Sequence, residues 1–406
     1  MKKNIVAVAL SGGVDSATSA YILKQHGYEV FGLTMKLFEN QNCEDAALVA
    51  KKLEIKHHII DFSKYFEEEV INTFIDIYLN GFTPNPCILC NIKVKYGLLL
   101  EEAIRLGADY MALGHYAKIV YDEKDDLYRL IKSDVNRKDQ SYYLYHLTQD
   151  KLKHIILPLN NFKNKDEVRE LISTIIPSIS RKKDSTDICF TNGKSLFSYI
   201  KNKRNIINCV GNFVDKNGRF LGKHKGIFNY TIGQKRGLNL NIEKTYFVLE
   251  IKANTNEIVL TDNELDLYKK EIFVKDINYI NKENYKKEKI NATVKLCQWG
   301  YYIPCEIMNQ KNGYALVKFN KPERAPAIGQ SAVFYNNDEV LGGGIIDTKS
   351  HQRWCDFCIF ICYYFFAIND SISSMVLGMS LDKFSQPFSV TKQLSSILKP
   401  IPQSSL

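Results

Sequence analysis

At 406 residues the chain exceeds what one core comfortably covers, so two or three domains are expected. A hydrophobic content of 45% with 24% charged residues excludes a disordered or fibrous chain, and a net charge of +9 suits a polyanionic partner such as RNA. Ten cysteines at irregular spacing read as reduced intracellular thiols, and the six apolar residues that follow Lys2, Lys3 and Asn4 are too few for a signal-peptide core, which points to the cytoplasm and away from a membrane.

Residues 5–10, IVAVAL, are continuously apolar in the manner of a parallel strand covered on both faces. The run ends in Ser11-Gly12-Gly13-Val14-Asp15-Ser16, after which Val14, Ala17, Ala20 and Tyr21 keep a helical period. A strand that turns into a helix through two glycines suits a phosphate. Glycine lets an anion approach the backbone, and the N–H groups opening the helix face it with the positive end of the dipole. The Gly-Lys-Ser/Thr ending of a Walker loop and the G-x-G-x-x-G of a dinucleotide site are both missing.

After Gly27 the pattern predicts a strand over 30–35, a helix over 44–53 and a strand over 58–62. Ser63 then caps a long amphipathic helix through Phe66, Val70, Phe74 and Ile77. This alternation predicts an α/β fold with a doubly wound parallel sheet. A further strand over 110–113 ends in Gly114-His115-Tyr116. Ligands in such sheets lie at the carboxyl ends of strands, so Met35 and Gly114 fall beside the glycine loop. His115 reads equally as a ligand contact or as a structural histidine.

The stretch Thr83-Pro-Asn-Pro-Cys87-Ile-Leu-Cys90-Asn91 has two prolines that impose an extended loop. Cys90 is expected near the start of a helix reaching residue 106, where the dipole would lower its pKa and give a nucleophilic thiolate. The C-x-x-C spacing alone also fits half a zinc site, a redox pair or coincidence. Cys189, in Lys183-Asp-Ser-Thr-Asp-Ile-Cys189-Phe190, follows a polar loop; taken alone it is either a reactive thiol or a packed one.

Residues 118–131 predict a hairpin and residues 166–176 a helix before Pro177. From residue 206 the period changes to two, with a turn at Asp215-Lys-Asn-Gly218, paired strands over 246–251 and 257–260, and short strands over 292–296, 314–319, 331–335 and 340–346. The expected organisation is an α/β domain over 1–205, a small β domain over 206–265 and a C-terminal β-barrel over 266–347. Residues 348–406 are left without a function: residues 355–368 are apolar but fall short of the roughly 20 needed to span a bilayer.

SGGVDS after an N-terminal strand resembles the PP-loop of ATP pyrophosphatases, and SGGVDS, PNPCILCN and KDSTDICF in this order resemble the tRNA-specific 2-thiouridylases. Further matching strings are LGHYA at 113–117, RKDQSY at 137–142, YTIGQKRG at 230–237 and PER with GQSAV near 322–333, so the resemblance covers about residues 4–347. It implies replacement of the C2 oxygen of the wobble uridine by sulfur. ATP with Mg2+ would bind at Ala9, Leu10, Ser11, Gly12, Gly13, Val14, Asp15 and Ser16 with Met35 and Gly114, and would adenylate that oxygen. Cys189 would carry the sulfur as a persulfide and Cys90 would be its thiol partner. Asn85, Pro86 and Cys87 would frame a flipped-out base. His115, Lys138, Asp139, Gln140 and Gln330 would contact tRNA, with lysine, glutamate and glutamine acceptors as substrates, and Lys235 and Arg236 add charge for phosphate. The sulfur donor would be a persulfide-carrying relay protein or a cysteine desulfurase.

The sequence departs from the family in four places: Cys87 stands where part of the family has aspartate, Cys297-Gln298 replaces an Arg-Tyr pair, the segment between Phe38 and Asp45 is short, and the tail is unmatched. Two other readings stand beside the sulfurtransferase: another PP-loop activity with no use for Cys90 and Cys189, and a non-catalytic tRNA-binding remnant of the fold.

Overall fold

The computed structural model describes residues 4–348 apart from 136–137, 185–187, 192, 208, 241–242 and 311–312. The tail from residue 349, Arg137 of the RKDQSY string and Ser185, Thr186 and Asp187 of KDSTDICF therefore lie outside the described residues.

Strand β1 (Ile5–Ala9) is central because both of its faces are covered: Val6, Ala7 and Val8 are wholly buried. Helix α1 (Val14–Gln25) follows, then β2 (Glu29–Lys36), α2 (Glu44–Lys52), β3 (Lys56–Asp61) and, after a long helical stretch, β4 (Tyr110–Ala112). A hairpin of β5 (Lys118–Asp122) and β6 (Leu127–Ile131) precedes the short β7 (Ile155–Ile156). The first sheet has the order β3-β2-β1-β4-β7 and all its pairings are parallel, as the doubly wound expectation requires. The chain leaves β1 toward β2 on one side and returns to β4 on the other. This makes the end of β1 the switch point at which such sheets bind ligands.

The second sheet orders Phe247–Lys252, Glu257–Thr261, Gly211–Val214 and Phe220–His224 side by side. The third closes six antiparallel strands into a barrel, sealed where Tyr268–Tyr279 pairs with Glu339–Asp347. Two of these strands were not expected from sequence. In Tyr268–Tyr279 a bulge interrupts the period, with Asp276 in the left-handed region at φ 53°. Ile303–Asn309 contains Pro304, which argues against a strand but sits outside the paired register with Ala315–Arg324, where no N–H is needed.

The hairpin of β5 and β6 forms as expected, but it belongs to the barrel sheet rather than standing alone, through the pairing of Ile131 with Glu339. Arg129 reinforces the junction by holding Asp122 at 2.8 Å and Glu339 at 2.9 Å. Ser63 does not cap its helix. It donates its N–H and hydroxyl to Asp61, so the aspartate organises that start.

The barrel also touches the first domain at Gly329. Its φ is +91°, a Cβ there would lie 3.0 Å from the Thr83 nitrogen, and Thr83 N–H donates to the Ile328 carbonyl at 2.8 Å. Gly329→Ala adds a left-handed penalty to that crowding and is expected to cost about 1–2 kcal/mol, read as a lowered midpoint in urea unfolding. An unchanged midpoint would mean that the contact yields freely.

Candidate active site

The glycine loop is shaped by contacts that leave no room for side chains. Gly12 has φ +71°, and a Cβ on it would sit 2.5 Å from Asp45 Cβ. Gly13 is extended instead, at φ −96°, and opens α1 without a side-chain cap, so the first N–H groups of the helix are not covered by their cap residue. Ser16 Oγ accepts from Ser11 N–H at 3.2 Å, meets Ser11 Oγ at 3.2 Å and donates to the Gly13 carbonyl at 3.1 Å, which folds the loop on itself. Gly114 arrives from β4 against the same turn, and a Cβ there would lie 2.8 Å from Asp15 Cβ. Met35 lies at the carboxyl end of β2, two residues beyond the Leu33 that pairs with Ala9. The structure thus brings Ala9 to Ser16 and Gly114 together, with Met35 on the adjoining strand end.

Several groups that the sequence reading missed surround this loop. Tyr116 hydroxyl donates to Asp15 Oδ1 at 2.6 Å, and Lys165 binds the same oxygen. Lys165 also reaches Asp184 at 3.4 Å, beside Lys138 at 2.9 Å and Arg169 at 2.6 Å. Arg169 in turn donates to the Ser180 and Lys182 carbonyls at 2.6 and 2.7 Å, fixing the start of the segment that leads to Cys189. Lys182 pairs with Asp45 and approaches the Gly12 carbonyl at 3.4 Å. The basic-acidic string at 181–184 was the available signal, but its partners are distant in sequence.

The second part of the site is built on a helix that starts earlier than expected. Asn85 caps it by accepting from the N–H groups of Cys87 and Ile88 at 3.0 and 3.4 Å, Pro86 occupies the first turn, and the chain runs helically through Pro86–Cys90 into a π segment, Asn91–Leu98. Cys90 is therefore the fifth helical residue, beyond the reach of the terminal dipole, and is 8% exposed. The expected lowering of its pKa is overturned, because burial pushes the Cys90 thiol up. Cys189, on the short 3-10 turn Cys189–Thr191, reaches solvent while its neighbour Phe190 is buried against Phe66 and Phe74. That anchor puts Cys189 beside the apolar cluster that holds Cys90. Cys87, Cys90 and Cys189 lie close enough to oppose one another's ionisation, and desolvation with that repulsion pushes Cys189 up to about 11.

His115 is held between Tyr96, at 2.6 Å from Nδ1, and Lys95, at 3.5 Å from Nε2. Burial above all keeps it neutral. Asp139 accepts from Ser133 and Ser141 and its carbonyl accepts from Gln298 at 2.5 Å, while Gln140 accepts from Tyr116 N–H at 3.0 Å. Both side chains shape their own loop, and Lys138 is paired with Asp184. Gln330 follows Gly329 and so stands beside Thr83, at the start of the proline-cysteine loop. Lys235 and Arg236 are exposed on a turn braced by Arg324, which donates to the Gly233 carbonyl at 3.0 Å.

Three domain models match in succession: a tRNA methyl transferase HUP domain over residues 4–193, a tRNA methyl transferase PRC-barrel domain over 199–262 and an aminomethyltransferase beta-barrel domain over 269–346. The tRNA-specific 2-thiouridylase MnmA of Clostridium beijerinckii is 42% identical over 362 residues, covering 86% of this chain and 99% of its own. The protein of the same name from Clostridioides difficile is 42% identical over 357 residues, covering 85% and 98%. Among solved structures, a 4-thiouridine synthetase in an RNA complex with bound ATP is similar over 49% of this chain and 50% of its own, at 15% identity and a TM-score of 0.31.

The Asp184 carboxyl lies below its ordinary range: burial pulls it upward, but the Lys138 hydrogen bond and the charges of Lys165, Lys138 and Arg169 outweigh that. A pKa depressed by folding stabilises the native state above the unfolded value and ceases to do so as pH falls through the folded one. Asp184→Asn is therefore expected to be about 1 kcal/mol less stable at pH 7. The deficit relative to the parent should shrink below about pH 4. Chemical denaturation across pH reads this, and a deficit that widens on acidification would contradict it.

Proposed function

The chain belongs to the tRNA-specific 2-thiouridylase family, and from that membership we propose that it is an ATP-dependent tRNA uridine 2-sulfurtransferase acting at the wobble position. The observation that carries the reading is that Phe190, next to Cys189, packs in the apolar cluster that holds Cys90, leaving the two thiols close enough to oppose each other's ionisation beside the proline-cysteine loop. A nucleotide amidase would have no use for that pair.

ATP binds with its phosphates on the N–H groups of Gly12 to Ser16 and its adenosine toward Met35 and Gly114, and magnesium enters as the counter-ion of those phosphates. Lys165 and Lys182, now paired with Asp15 and Asp45, supply positive charge for the departing pyrophosphate. The uridine C2 oxygen attacks the α-phosphorus, which turns a poor leaving group into AMP. Cys189 holds the incoming sulfur as Cys189–S–SH. Its terminal sulfur attacks C2 and AMP departs. The Cys90 thiolate then attacks the Cys189 sulfur, the S–S bond to the transferred atom breaks, and its electron pair stays with the nucleoside as 2-thiouridine. A Cys90–Cys189 disulfide remains, and a thiol reductant returns both groups to the reduced state with two electrons and two protons.

Asn85, Pro86 and Cys87 frame the extruded base, with Asn85 acting through its helix cap. Lys138 and Gln330, with His115, Asp139 and Gln140 behind them, form the tRNA-facing side, and tRNAs for lysine, glutamate and glutamine are the expected substrates. A persulfide-bearing relay protein or a cysteine desulfurase supplies the sulfur. The division of labour follows the expected domains, 1–205 for chemistry and 206–265 and 266–347 for holding RNA, and the setting is the cytoplasm. No helix among the described residues is long and apolar enough to cross a membrane.

Purified protein incubated with Mg-ATP, wobble-uridine tRNA and a persulfide donor should form 2-thiouridine, read by nucleoside mass spectrometry. Cys189→Ser and Cys90→Ser should each reduce the yield at least about a hundredfold. Full activity in Cys189→Ser would favour another PP-loop chemistry, and tRNA binding without ATP turnover would favour the non-catalytic reading.

A further inference from the structure

The proposed chemistry needs thiolates, yet the structure desolvates the thiols that must form them. Burial raises Cys87, Cys90 and Cys189 alike, and the helix terminus that might have compensated lies a full turn before Cys90. Some other positive charge must serve the pair.

Lys95 fits that need by position. It lies five residues after Cys90, a spacing that an α-helix would turn away to another side. Residues 91–98 are wound as a π segment, whose i to i+5 bonding returns Lys95 over Cys90. Gly97, at φ −100° and ψ −107°, breaks the winding in a kink two residues after Lys95, and a Cβ there would stand 3.0 Å from the Ile92 carbonyl oxygen. The half-buried ammonium meets Nε2 of His115 at 3.5 Å, and no carboxylate pairs with it among the described residues. Lys93, two residues earlier, is instead paired with Glu69 at 3.1 Å.

His115 completes the arrangement. With its proton on Nδ1 it donates to Tyr96 Oη at 2.6 Å and offers the Nε2 lone pair to Lys95. A neutral imidazole in this tautomer holds the ammonium without cancelling its charge.

We propose that Lys95 is the positioning residue of the sulfur-transfer pair, its ammonium held by His115 so as to stabilise Cys90 and Cys189 as thiolates. The inference rests on the reading of those two cysteines as the reacting groups. Lys95 is the cation whose charge opposes the rise at all three thiols. The other groups facing them add none: Tyr143 faces Cys87, Tyr199 faces Cys189, Cys297 stands behind Tyr143, and His146 beside His115 is pushed down to about 3 by burial. The proton each thiol gives up passes to solvent, which Cys189 reaches directly.

Iodoacetamide labelling as a function of pH, with peptide mass spectrometry of Cys90 and Cys189, tests this without ATP, tRNA or a sulfur donor. In Lys95→Met both labelling midpoints should move to higher pH, with labelling at pH 7.5 about tenfold slower. Lys95→Arg should stay near the parent, and Cys43, which lies outside the apolar cluster of Cys90, should be unchanged in every variant. If Lys95→Met does not fold, Lys95→Gln carries the same comparison. Unmoved midpoints in the neutral variant, or a shift as large in Lys95→Arg, would overturn the proposal. The two readings fail separately: absence of 2-thiouridine with the parent protein refutes the sulfurtransferase, whereas the labelling shift reports on Lys95 alone.

Discussion

One carboxylate ties together segments that lie far apart in the chain. Asp184 receives Lys138, Lys165 and Arg169, and Lys165 is shared with Asp15 of the glycine loop. The half-exposed setting makes any single pair worth only about 1 kcal/mol or less. The consequence is geometric rather than energetic, because one cluster locates the phosphate loop, the basic loop at 138 and the segment that leads to Cys189. Arg169 adds the Ser180 and Lys182 carbonyls to the same hub. Lys165 and Lys182 bind carboxylates at and beside the glycine loop, so that loop is tied directly to the stretch of chain that leads to Cys189.

The thiols themselves show a tension between packing and chemistry. Phe190, Phe66 and Phe74 fix Cys189 near Cys90 through edge-on ring contacts, and the same apolar wall raises the thiol pKa values. Reactivity must then come from a charge placed at a distance, and the π segment at 91–98 is the local deformation that places one. At position 87 a thiol rather than a carboxylate lies near this cation, so no fixed negative charge cancels it there.

Much of this was legible in the sequence for identifiable reasons. Residues 5–16 announce themselves because a strand buried on both faces must be continuously apolar, and because Gly12 and Gly114 stand where a Cβ would meet neighbouring atoms at 2.5 and 2.8 Å. The alternation of strands and helices up to β4 carries the parallel sheet. The rest depends on partners distant in the chain. Nothing in 118–131 tells that its hairpin will join a strand at 339, and a π segment has no compositional mark by which 91–98 could be told from an α-helix. The start of the helix was misjudged because Asn85 as a cap and Pro86 in the first turn place Cys90 one turn further in. Burial, which sequence position does not report, then reversed the direction of its pKa.

The central claim is that Cys90 and Cys189 act as one redox-coupled pair in a single sulfur transfer. Protein preloaded with persulfide and given Mg-ATP and tRNA for one turnover without reductant should be quenched with an alkylating agent and mapped by peptide mass spectrometry. The account predicts one Cys90–Cys189 disulfide for each 2-thiouridine formed. Formation of 2-thiouridine with both cysteines recovered in alkylated form would contradict it.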